Sequence, residues 1–135
     1  LITAVDTNVL IDVFEADDDF GLRSARAIRR CLTEGSLIAC ATVWAETASY
    51  FPAPQQAQTA LTRLRVDFSP DDLTSACVAG RRWRAYREAG GSRERVAPHF
   101  LVGAHALHQA DRLLTRDRGF YRRYFEGLEI LDPSA

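Results

Sequence analysis

A chain of 135 residues, 47% hydrophobic, is the right size for one ordinary core and too short for several. Its net charge of −1 excludes holding nucleic acid through a general basic surface, so any such contact has to be local and helped by a metal or a partner. No apolar run approaches the ~18–20 residues of a membrane span, and residues 1–15 lack the charged start and small-residue cleavage site of a signal peptide, so a cytoplasmic protein is expected.

Residues 1–5 are a short apolar run that ends abruptly in Asp6-Thr7-Asn8, the pattern of a buried strand feeding a helix capped by Thr or Asn. Residues 21–34 carry Ala25, Ile28 and Leu32 at helical spacing, and Gly35 ends that helix. Residues 36–40 form a second strand. Thr42 is then placed to cap a helix carrying Val43, Glu46 and Tyr50, which stops before Pro52. Pro54 opens another helix with Ala57, Ala60, Leu61 and Leu64 on one face, and residues 65–68 make a third strand. Ser69-Pro70-Asp71-Asp72 predicts a helix start, with Ser69 as the cap and Pro70 in the first position. That helix runs through Leu73, Cys77, Gly80 and Trp83 to Gly90-Gly91. A polar loop follows over 91–97. Pro98 introduces a helix over 99–109 with Phe100, Ala104 and Leu107 as its core stripe. Residues 112–115 are a fourth strand, 119–125 a short helix and 128–131 a last strand. Strands alternating with helices from end to end predict an α/β protein, a parallel sheet with helices on both faces. Without repeats or linkers, residues 1–135 are expected to be a single domain.

Sites in such sheets form beyond the carboxyl ends of the strands. Three acids occupy those places: Asp6 after the first strand, Glu46 in the first turn of the helix after the second, and Asp117 two residues past the fourth. Each has a plain structural use, as a cap, a partner for a helix dipole or a turn former. At three strand ends together, function is the better reading. Carboxylates gathered in one crevice repel unless a cation holds them, and hard ions such as Mg²⁺ need only a few, because they keep waters. His105 and His108 do not repeat from His99 at four-residue intervals, so a histidine metal cluster is not expected. Cys31, Cys40 and Cys77 are too few and scattered for a disulfide framework or a zinc site. All 17 basic residues are arginine. Arg116, Arg118, Arg122 and Arg123 lie near the site mouth, where the choices are RNA phosphate contacts, solvated side chains or dimer contacts. Trp44, Trp83, Tyr86 and the phenylalanines are expected in the core or an interface.

Val5-Asp6-Thr7-Asn8-Val9-Leu10-Ile11-Asp12 resembles the opening motif of PIN-domain proteins, and Ala45-Glu46 resembles their second acidic position. The stretch 100–106, Phe-Leu-Val-Gly-Ala-His-Ala, followed by 110–121, Ala-Asp-Arg-Leu-Leu-Thr-Arg-Asp-Arg-Gly-Phe-Tyr, resembles the closing half of VapC-like toxins of VapBC toxin–antitoxin systems. The likeness spans residues 3–131 in motif order. It implies a five-stranded parallel sheet and an endoribonuclease using Mg²⁺ or Mn²⁺. It also implies a homodimer and a cognate VapB-like antitoxin covering the acidic site. Asp6, Glu46 and Asp117 match the family's catalytic acids, with Asp6 and Asp117 as metal ligands. Asn8 and Thr115 match supporting polar positions, and Arg116 and Arg118 are candidates for RNA contacts. One position departs: where such toxins carry an aspartate close to the metal, this chain has His99. Imidazole is a poor ligand for Mg²⁺ and acceptable to Mn²⁺ or Zn²⁺. The competing expectation is therefore a catalytically inactive PIN-like module that only binds antitoxin or RNA. A receiver domain is excluded by the absence of lysine, and an aspartyl-phosphate phosphatase would need an aspartate where Asn8 stands.

Overall fold

The computed structural model describes residues 1–92 and 97–134. Strands β1 (Ile2–Val5), β2 (Ser36–Ala39), β3 (Val66–Phe68), β4 (Arg112–Leu114) and β5 (Ile130–Leu131) form one parallel sheet in the order β3-β2-β1-β4-β5. Parallel neighbours need crossover connections, and the helices supply them. α1 (Thr7–Phe14) and α2 (Gly21–Glu34) join β1 to β2, and α3 (Ala41–Ala48) and α4 (Pro54–Arg63) join β2 to β3. α5 (Leu73–Glu88) and α6 (Ala97–Gln109) return the chain to β4, and α7 (Arg118–Tyr124) leads to β5. From β1 the chain steps outward to β2 and β3, then comes back to lay β4 on the other side of β1. Such a reversal leaves a crevice beyond the carboxyl ends of the two strands that flank it, here β1 and β4.

The core explains the patterning. Central strands bury both faces, so Ala4, Val5, Leu37, Leu113 and Leu114 are all inside, with Val9, Leu10, Val43, Leu61 and Phe100 packed on them from the helices. Each such fully buried Val, Leu or Phe contributes roughly 1.5–3 kcal/mol. The edge strands β3 and β5 are more exposed. Tyr86, Phe100, Phe120, Tyr124 and Phe125 make an aromatic cluster between α5, α6 and α7, with ring centroids 5.0–6.0 Å apart. Gly103 is part of it: a Cβ there would fall 2.5 Å from the Phe125 ring, so only glycine lets α6 rest its backbone on that ring.

Several element starts differ from the sequence expectation, each for a local reason. The α1 cap is Asp6, not Thr7 or Asn8; its carboxylate accepts from the Thr7 N–H at 2.8 Å. Cys40 occupies the cap position of α3, which puts Thr42 inside the helix and Glu46 in its second turn rather than its first. Ser69 does not cap α5. It prolongs the β3 ladder, donating its N–H to the Ala39 carbonyl at 2.9 Å, while its hydroxyl meets Nε2 of His105 at 3.0 Å. Asp72 caps instead, accepting from the Ser75 N–H at 2.7 Å, and Gln109 of α6 braces the turn by accepting from Asp72 N–H and donating to the Pro70 carbonyl. In the expected 91–97 loop, Ala97 already belongs to α6, and residues 93–96 lie outside the described residues. The three cysteines are free thiols. Among the described residues no helix is long and apolar enough to cross a membrane.

Candidate active site

Asp6 is the first residue past β1, and its N–H still donates to the Leu114 carbonyl at 2.9 Å. Val5 is in register with Leu114, so the next step of the two strands sets Asp6 beside Thr115. Thr115 is fully buried, and its hydroxyl is used to capacity. It donates to Asp6 Oδ2 at 2.9 Å and accepts from the Asp117 N–H at 3.0 Å and from Asn8 Nδ2 at 3.3 Å. The Asn8 carbonyl oxygen in turn accepts from the Arg116 N–H at 3.2 Å. Two side chains thus lock the start of α1 to the β4–α7 loop that carries Asp117. Tyr121 of α7, also fully buried, donates its hydroxyl to Asp6 Oδ2 at 3.1 Å.

Asp6 opens on a cavity of about 130 Å³ lined also by Thr7, Asn8, Glu46, Pro98, His99 and Val102. Glu46, exposed on α3, is held from across the mouth by the Thr7 hydroxyl, which donates to its Oε1 at 2.9 Å. Nε2 of His99 stands 3.7 Å from Asp117 Oδ2, both side chains being partly exposed. Pro98 and Val102 supply the apolar wall. The structure therefore brings Asp6, Glu46 and His99 to one cavity, with Asp117 against His99.

The electrostatics of this edge are uneven. Asp6 is only 6% exposed, and burial pushes its carboxyl above the usual range, against the opposing pull of the Thr115, Thr7 and Tyr121 hydrogen bonds and the His99 ring. Tyr121 is pushed well above the ordinary phenol value by its own burial and by the Asp6 carboxylate beside it. Among the described residues no arginine pairs with Asp6 or Glu46. One turn and a half further along α1 the opposite holds. Asp12, 4% exposed, receives both Nε and Nη2 of Arg116, at 2.7 and 3.0 Å, and the Ser24 hydroxyl at 2.8 Å. Arg116 also lies over the Phe20 ring, 4.2 Å from its centroid. Its guanidinium thus forms a strut joining β4, α1 and α2. Arg118 is half exposed, its Nε 3.4 Å from Asp132.

The donor set fits one kind of cation. Among the described residues no three His, Cys, Asp or Glu side chains converge tightly enough to enclose an ion. A buried carboxylate without a cation, with about 130 Å³ beside it, suits an ion that keeps most of its water. Each water takes about 30 Å³, so there is room for a few. That is the habit of Mg²⁺, which binds through one or two carboxylates plus waters.

The sequence pattern of the PIN domain matches residues 3–126. The chain belongs to the PIN domain family. Solved chains from VapBC complexes share the fold across their whole length. One, from VapBC-1 of nontypeable Haemophilus influenzae, superposes with a TM-score of 0.75 at 18% identity, covering 100% of both chains. Another, from the structure of VapBC2 of Rickettsia felis bound to a DNA fragment from their promoter, gives 0.74 at 16% identity over 98% of both. A third, from DNA-bound VapBC of Salmonella typhimurium, gives 0.73 at 17% identity over 98% of both. No curated protein sequence matches significantly.

Within this PIN domain, three participants were not singled out from the sequence: Tyr121, Thr7 and Asp12. A phenol buried in the core has to find a polar partner, so a Tyr four residues past Asp117 was a usable signal for Tyr121. Thr7 and Asp12 carried none, because their partners Glu46 and Arg116 lie 39 and 104 residues away. His105, six residues past His99, is buried against Ser69, away from the cavity, and burial holds its ring below the ordinary histidine value.

Proposed function

We propose that this PIN domain is a metal-dependent endoribonuclease, the toxin of a toxin–antitoxin pair, cytoplasmic and homodimeric, with a VapB-like antitoxin as partner. The observation that carries the proposal is Asp6: a buried carboxylate, met among the described residues by hydroxyls and a backbone N–H, at the topological reversal of the sheet and facing one cavity with Glu46 and His99. Membership of the PIN family and the likeness to chains of VapBC complexes support it.

Asp6 and Asp117 would hold Mg²⁺ or Mn²⁺, with residue 99 at the third position; such an ion, when bound, supplies an acidified water and polarises a phosphodiester. The chain's own residues do the rest. Thr115 and Tyr121 fix Asp6 Oδ2, and Thr115 also sets the loop of Asp117. Thr7 holds one oxygen of Glu46 and leaves Oε2 to take the proton of the attacking water. The water oxygen then bonds to phosphorus as the P–O bond to the leaving ribose oxygen breaks. An exposed Arg118 can meet a neighbouring phosphate. The acidic site also invites a basic side chain, and an arginine from an antitoxin tail would occupy the place of the cation through charge-assisted bonds.

His99 works against the reaction. Its nitrogen is the wrong donor for Mg²⁺, and at 3.7 Å from Asp117 it competes for the carboxylate that should serve the ion. This contact favours the second reading, a module that binds without cutting. RNA cleavage decides between them. The chain itself should cut slowly with Mg²⁺ and faster with Mn²⁺. His99→Asp should raise the Mg²⁺ rate about a hundredfold, the scale set by misplacing a reacting atom by ~1 Å. Adding Asp117→Ala should abolish that gain. If His99→Asp also fails to cut with either ion, the binding module is the correct reading.

A further inference from the structure

A second, larger cavity of about 510 Å³ lies between α2 and the residues that follow β5. Arg23, Arg26 and Arg30 line one side and residues 131–134 the other. Spacings of three and four put these arginines on one helix face, in a row spanning about 10 Å at 1.5 Å per residue. Arg30 is paired with Glu34 at 2.6 Å, whereas no acid meets Arg23 or Arg26 among the described residues. The acid in the groove, Asp132, is turned inward. Its Oδ1 accepts from the N–H and hydroxyl of Ser134, and its Oδ2 faces Arg118 at 3.4 Å. The groove therefore presents net positive charge in a chain whose total charge is −1.

This groove borders the β4–α7 loop that carries Asp117. Asp132 both lines it and contacts Arg118, the residue next to Asp117. On the other flank, Ser24, between Arg23 and Ala25, donates to Asp12, which Arg116 grips from the β4–α7 loop. A strand lying at Asp117 is thus led past Arg118 onto the α2 row. We infer that the α2 groove is a second backbone site for single-stranded RNA, holding phosphates a few nucleotides from the scissile bond. It rests on the ribonuclease reading above. A line of guanidiniums, each a fork for phosphate oxygens, suits a chain of evenly repeated single charges. It also explains how a nearly neutral protein holds a polyanion: the positive charge is concentrated where the strand runs.

The test is binding of a fluorescent single-stranded RNA of roughly a dozen nucleotides, followed by anisotropy in EDTA from about 50 to about 200 mM salt. Arg23→Gln with Arg26→Gln should weaken binding about tenfold at the low-salt end, irrespective of base sequence. The slope of log K against log salt should flatten by roughly 1.4, since each single-strand phosphate contact contributes about 0.7. Arg63→Gln with Arg81→Gln removes the same charge on α4 and α5, away from the groove, and should leave the slope unchanged. If wild type binds and cleaves RNA but the Arg23/Arg26 variant keeps its slope, this inference falls and the ribonuclease reading stands. If both pairs flatten it equally, the groove has no special role. If wild type neither binds nor cuts RNA, both fall together. Tighter Arg23/Arg26-dependent binding of a polyglutamate peptide than of RNA would also overturn it, in favour of an acidic protein partner.

Discussion

The two ends of the β1–β4 pair treat buried charge in opposite ways. At the amino end Arg112, 4% exposed, is fully engaged: Nε donates to the Thr3 hydroxyl at 2.9 Å, and Nη2 reaches Glu34 at 3.0 Å and the Cys31 sulfur at 3.7 Å. At the carboxyl end Asp6 is nearly as buried, and among the described residues no arginine pairs with it. The first arrangement ties β4, β1 and α2 together. The second stores an unsatisfied demand for positive charge at the place where a ligand can supply it. One strand pair therefore divides its labour, with stability at one edge and chemistry at the other.

The largest effect expected from breaking this contrast is at the amino end. Arg112→Ala strands the fully buried Thr3 hydroxyl, so urea unfolding should show a loss of about 1–3 kcal/mol, the range for leaving a buried polar group without its partner. At the carboxyl end the sign reverses. Asp6 has a raised pKa in the folded chain, so its protonated form is the one folding favours. Stability is therefore full below the ordinary carboxylate range and declines as pH rises through the raised value. Asp6→Asn removes that decline. At pH 7 it should stabilise the chain, read as a higher Tm than wild type. The gain should shrink as pH falls through the raised value, where the wild-type carboxyl takes its proton, and vanish below the ordinary carboxylate range. Mg²⁺ should raise the wild-type Tm and leave that of Asp6→Asn unmoved. The smallest effect is Tyr121→Phe, which loses one hydrogen bond to Asp6, worth about 1 kcal/mol in denaturant unfolding.

Much of this was legible in the sequence because it depends on local pattern. Short segments at 1–5, 36–40 and 112–115 were read as strands because each carries apolar residues that the sheet buries: Ala4, Val5, Leu37, Ala39, Leu113 and Leu114 are all inside. Asp6 and Asp117 were visible for the same reason: they are the first acids after such runs. The misread helix starts have a common cause. Ser69-Pro70 has every local mark of a cap, yet β2 claims Ser69 for one more rung and Gln109 stabilises the turn that follows. The sequence pattern contains neither competitor. The same holds for the contrast between Asp6 and Asp12. Both stand in one short motif, and what separates them is that Arg116 folds back over α1 to Asp12 rather than to Asp6. That choice is made by tertiary packing, including the Phe20 ring beneath the guanidinium.

The absent side chain at Gly103 has a consequence for how the site can vary between descendants of this chain. The Phe125 ring it rests on is 1% exposed and has no room to retreat, so a methyl group there has to push α6 off the end of α7. His99 lies one turn upstream on α6, and Asp117 heads α7. A change of one hydrogen to one methyl, well behind the cavity, therefore sets the width of the gap between those two residues. Natural selection can adjust the mouth of the site at Gly103 without touching any residue that meets the substrate.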